Sequence, residues 1–81
     1  MTQDEIWDAI VASVREEIGD PTLDVRREMT ASDISGWDSV THVRIVLNVE
    51  DRIGASLDIS KTYRAKTIGD LIPVFKQAMA S

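Results

Sequence analysis

The sequence predicts an all-α fold: a small four-helix bundle of three longer helices and one short helix, with a long loop between the first and second. Three observations support this. Apolar residues recur at intervals of three and four in three separate segments, glycines close the first two segments, and the connections between segments carry enough apolar residues to pack down. The 81 residues make one domain, 1–81, close to the lower size at which a single core offsets conformational entropy.

The first helix is expected over residues 3–18, where Ile6, Ile10, Val14 and Ile18 stand four apart with Trp7 and Val11 alongside. Gly19 is a natural stop, and Pro21 cannot continue a helix. The second is expected over 38–53, with His42, Ile45, Val46, Val49 and Ile53 on one stripe and Thr41, Arg44, Asn48 and Asp51 on a polar one. Its β-branched residues raise a strand as the competing reading, but the intervals fit a period of 3.6 better than 2 and the segment is long for a strand. Gly54 ends it. The third spans 67–79, with Ile68, Leu71, Ile72, Phe75 and Met79 together and Thr67 and Asp70 at capping-box spacing. Pro73 removes a hydrogen bond inside that helix, so the helix either starts late, near Asp70, or bends.

Two connections remain. Residues 55–66 contain Leu57, Ile59 and Tyr63, enough for a short turn of helix that lids one side of the core. Residues 19–37 form the long loop, and its irregularly spaced Leu23, Val25, Met29, Ile34 and Trp37 predict that it packs against the helices.

Composition excludes several function classes. There is no cysteine and only one histidine, His42, so thiolate metal sites, histidine clusters and a thiol nucleophile of the chain's own are ruled out, and no metal is expected. The net charge of −5 argues against nucleic-acid binding, which rests on neutralising phosphates. Acids gather towards the N-terminal end, whereas the last third is mildly basic. No apolar run approaches the ~20 residues that cross a membrane, and the start MTQDE lacks the features of a signal peptide. A cytoplasmic monomer is expected. Because Met1 lies just before the first helix and the last helix runs almost to Ser81, a free-standing protein is also expected.

The run Gly36-Trp37-Asp38-Ser39-Val40 precedes an apolar helix that ends in Glu50-Asp51-Arg52-Ile53-Gly54, and Thr67-Ile68-Gly69-Asp70-Leu71 follows downstream. In these motifs, their spacing and the order of the helices, nearly the whole chain resembles the acyl carrier proteins of the phosphopantetheine-binding family. The resemblance implies that Ser39, after Asp38, is esterified by 4′-phosphopantetheine, whose thiol holds an acyl, polyketide or aminoacyl group as a thioester. It also implies a non-catalytic carrier, of the kind used in fatty acid or polyketide biosynthesis. Its partners would be a phosphopantetheinyl transferase, a loading enzyme, and the synthase or transferase of a dedicated pathway.

The local chemistry agrees. A serine in the first turn of a helix lies beside unsatisfied N–H groups and the positive end of the helix dipole, which favours a phosphodiester. The plainer reading is a helix cap, supplied by Asp38 or Ser39; both roles are compatible if Asp38 caps and Ser39 carries the arm. Asp38, Ser39 and His42 contain the residue types of a hydrolytic triad, but a triad also needs an oriented base and an oxyanion hole, which nothing nearby in the sequence supplies. His42 reads as an edge-of-core residue at the mouth of the bundle. The alternative from a different class is a small acidic interaction module without a prosthetic group.

Departures from the family pattern centre on the second helix. Val40 replaces a common leucine, Arg44 stands at a position that is commonly acidic, and Thr41 and Asn48 are neutral. Glu50 and Asp51 are the acids that remain before Arg52. Val40, Arg44, Leu47 and Asp51 are expected to form one outward stripe that meets partner enzymes, and its lost acidity points to a specialised carrier. Ala65, where relatives often have a larger apolar residue, would enlarge any space for cargo between the helices.

Overall fold

The computed structural model describes residues 1–80; Ser81, the last residue of the expected domain, lies outside them. Three α-helices build the bundle: α1 (Gln3–Ile18), α2 (Ser39–Ile53) and α3 (Leu71–Ala80). A 3₁₀ helix, Ile59–Arg64, supplies the short fourth element, and a single 3₁₀ turn, Ala31–Asp33, interrupts the long loop. Among the described residues there is no strand.

Helix α1 begins at a reciprocal cap. The Glu5 N–H donates to Thr2 Oγ1 at 3.2 Å, and the Thr2 N–H donates to Glu5 Oε1 at 2.9 Å. Ile6, Ile10 and Val14 lie fully inside, as the fourfold spacing requires, while Trp7, Val11 and Ile18 pack around them half-buried. Helix α2 contributes Ile45, Val46, Val49 and Ile53, and α3 contributes Leu71, Ile72 and the fully buried Phe75. The long loop packs down as expected, with Val25 and Ile34 buried and Leu23, Met29 and Trp37 lying against the core.

The third helix starts late. Thr67 and Asp70 do exchange bonds, each backbone N–H donating to the other's side chain at 3.2 Å, but they close a turn ahead of the helix rather than its first turn. Pro73 therefore falls in the first turn of α3, where an N–H has no acceptor within the helix and its loss costs little. Between the two lies a close tertiary approach. The Ile68 N–H donates to the Met29 carbonyl at 2.8 Å and the Gly69 N–H to the Arg27 carbonyl at 2.9 Å, so the long loop is pinned to the entry of α3. A Cβ on residue 69 would stand 2.9 Å from the Arg27 carbonyl oxygen, which explains why glycine is there.

The lid over residues 59–64 differs from expectation in its inward residue. Tyr63 is exposed, and the buried side chain is Thr62. A 3₁₀ helix repeats every three residues, so Ile59, Thr62 and Ala65 share the inner side and Tyr63 is turned outward.

Candidate functional site

The loop reaches α2 through Gly36, whose φ of +93° lies in the left-handed region and turns the chain so that Trp37 packs inward while Asp38 and Ser39 remain exposed. Asp38 is the cap. Its Oδ1 accepts the Thr41 N–H at 2.8 Å, and this bond holds its carboxyl below the usual carboxylate range. Ser39 is the first residue of α2, is exposed, and its hydroxyl has no hydrogen-bond partner among the described residues. The two roles open in the sequence are thus divided: Asp38 caps, and the Ser39 hydroxyl is available.

One turn further on, His42 is buried and held at both ring nitrogens. The Trp37 Nε1–H lies 3.1 Å from His42 Nδ1, and His42 Nε2 lies 2.7 Å from Thr62 Oγ1. Indole nitrogen only donates, so Nδ1 is the acceptor and the imidazole proton belongs on Nε2. Thr62 Oγ1 accepts the Nε2–H hydrogen bond and donates its own hydroxyl hydrogen bond to the Ile59 carbonyl at 2.7 Å. Tyr63 stacks on the imidazole with ring centroids 4.4 Å apart. Burial pushes the His42 pKa down and keeps the ring neutral. Both nitrogens are engaged away from Ser39, so His42 is not placed as a base for the serine.

A shallow cleft opens beside this network. It has a volume of about 60 Å³ and is lined by Trp37, His42, Thr62 and Leu71, with Ala31 and Ala65 among its smaller walls. Ala65 does border the space, as the sequence suggested, but the space is small. Larger clefts lie elsewhere, bordered by residues such as Leu47, Gly54 and Ser56 at the far end of α2.

Val40, Arg44, Leu47 and Asp51 are all exposed on α2, Val40 at 59% and Leu47 at 56%. Val43, at 37%, joins them, a residue the sequence reading passed over although it stands three after Val40. The other polar residues of α2 have work within the fold. Asn48 Nδ2 donates to Glu17 across the seam with α1 at 3.0 Å, Arg52 reaches Glu16 at 2.7 Å, and Glu50 Oε2 accepts the Leu57 N–H at 3.0 Å. Asp51 is left as the acid facing outward beside Arg44. Trp37 and Thr62 carried no sign of their roles beyond an apolar residue in a loop and a polar one in a lid.

Among the described residues, no group of side chains is arranged to hold a metal ion, and no helix is long and apolar enough to cross a membrane. No protein-family model matches the chain. Curated relatives do. An acyl carrier protein of Acidothermus cellulolyticus is 27% identical over 81 residues, covering all of this chain and 96% of the relative. One from Micrococcus luteus is 29% identical over 79 residues, with 98% of each covered. One from Myxococcus xanthus is 30% identical over 71 residues, 88% of this chain and 90% of its own length. The fold matches the solution structure of a holo acyl carrier protein from Geobacter metallireducens with a TM-score of 0.76 and 25% identity, over 94% of this chain and 86% of that one.

The small helical bundle and the relatives it matches define one class of protein. The chain belongs to the acyl carrier protein family, and 4′-phosphopantetheine is the prosthetic group of such a carrier.

Proposed function

We propose that Ser39 is the attachment point and that the protein presents acyl, polyketide or aminoacyl groups, held as thioesters, to the enzymes of a dedicated pathway. The observation that carries this reading is the division of labour at the head of α2: Asp38 takes the capping bond, so the exposed Ser39 hydroxyl is not needed for structure. The residues fit the group. The Ser39 and Val40 N–H groups lie in the first turn, where no intrahelical carbonyl can satisfy them, and the positive end of the helix dipole favours a phosphodiester there. When bound, the arm supplies the thiol that this cysteine-free chain lacks. The chain's own contribution is a nucleophilic hydroxyl for the phosphopantetheinyl transferase, a fixed helix start, and a docking face of Val40, Val43, Arg44, Leu47 and Asp51. Conversion of a commonly acidic position to Arg44, together with the engagement of Glu50 by Leu57, supports partners of a specialised pathway rather than the general fatty-acid synthase. The expected cytoplasmic monomer goes with this reading.

The test is intact mass after incubation with coenzyme A, Mg²⁺ and a broad-specificity phosphopantetheinyl transferase. The native protein gains one phosphopantetheine, and Ser39→Ala gains none. Failure of the native protein to gain mass with several transferases favours the interaction module, and turnover of model esters by the unmodified protein favours an enzyme.

A further inference from the structure

We propose that Trp37, His42 and Thr62 are specificity determinants that close the bundle to extended acyl chains, so that it shelters only short cargo and leaves longer chains in solvent. This rests on Ser39 being the attachment point. A cleft lies beside His42, a single helical turn from that serine along α2. Its volume of about 60 Å³ is less than half of the roughly 150 Å³ of an apolar cavity that takes up benzene. Two or three heavy atoms fit, whereas an octanoyl tail does not.

Enlarging the cleft is opposed by what forms its walls. His42 belongs to α2 and Thr62 to the 3₁₀ helix, and their 2.7 Å hydrogen bond ties the two elements together. A chain that pushed between them would part the imidazole from the hydroxyl and strain the Trp37 bond to Nδ1. Each separated polar atom would then face hydrocarbon with no water to replace its partner. Unsatisfied buried polar groups cost more than the first buried methylenes return, so the network favours the closed state. An apolar pair at positions 42 and 62 would carry no such penalty. The larger cleft bordered by Leu47 and Gly54 begins about 12 Å from Ser39 along α2, given the rise of a helix, and lies open on the surface, so a chain resting there would not be sheltered.

The experiment loads the intact protein from acetyl-, butyryl- and octanoyl-coenzyme A with a broad transferase. Mass spectrometry first verifies the adduct; absence of any adduct on Ser39 refutes the attachment reading itself, separately from the gate. On loaded protein, thioester cleavage by hydroxylamine and the thermal midpoint are compared across the series. A sequestered chain would act as a ligand of the native state, slowing cleavage and raising the midpoint. The expected result is octanoyl cleaved no more slowly than acetyl or butyryl, and no rise in midpoint with chain length. Octanoyl protected by about fivefold or more relative to acetyl, with a higher midpoint, overturns the proposal. His42→Leu combined with Thr62→Val, where it folds, is expected to gain octanoyl protection; if that folded variant gains none, the network is not what excludes the chain.

Discussion

His42 and Thr62, twenty positions apart in sequence, share a 2.7 Å hydrogen bond that joins the start of α2 to the 3₁₀ helix 59–64. Because Trp37 donates to the other ring nitrogen, the imidazole is held as the neutral Nε2–H form. A second proton would have to enter at Nδ1, against the indole N–H.

That arrangement makes stability depend on pH in a defined window. Burial lowers the His42 pKa in the folded state, whereas the unfolded imidazole titrates near its ordinary value of about 6.5. Between the two values the unfolded chain binds more protons, so stability is fully present above about 6.5 and is lost as pH falls through the folded value. Urea midpoints at about pH 7.5 and pH 5.5 check this, with the lower pH giving the lower midpoint. His42→Leu is expected to be less stable but flat across the same interval. A native midpoint that does not move contradicts the assignment.

Gly69→Ala probes the pinning of the loop to α3. The added Cβ would meet the Arg27 carbonyl oxygen and Cβ at 2.9 Å, and a backbone carbonyl cannot swing aside as a side-chain tip can. A loss of about 1–3 kcal/mol is expected from chemical denaturation, with the helical circular dichroism of the folded state retained. Stability equal to the native protein's would show that the loop shifts freely here.

Arg44→Glu tests the outward face of α2. Restoring an acid beside Asp51 is expected to strengthen binding to general fatty-acid enzymes by about three- to tenfold, chiefly through association rate and at low salt. Titration of the holo protein against such an enzyme provides the measurement. High affinity already present in the native protein would sink the idea of a dedicated partner.

Much of the architecture was legible in the sequence because α1 and α2 bury stripes that repeat at helical period over four turns. Gly19 and Gly54 end them where expected, each in the left-handed conformation. The start of α3 was less legible. Thr67 and Asp70 have the spacing of a helix cap, yet Ile68 and Gly69 are held by carbonyls of the distant loop, and that tertiary demand delays the helix to Leu71. Tyr63, expected to help lid the core, faces outward and Thr62 faces inward because a 3₁₀ period governs the lid. At the site, Asp38 and Ser39 could be read from local chemistry, and the resemblance gave them roles. The pairing of His42 with Thr62 has no local signature: it exists only once two elements twenty residues apart are packed together.

The fixed head of α2 also bears on mechanics. With Asp38 clamped to Thr41, Trp37 bonded to His42, and the loop fastened at Ile68 and Gly69, the base of the proposed attachment point is braced on several sides, whereas the Ser39 hydroxyl is exposed. An arm at Ser39 would swing about a rigid pivot, so its reach between partner enzymes would come from its own rotatable bonds and from rolling of the whole domain. The protein would act as a post, and each partner would find the same hinge point whatever the arm was carrying.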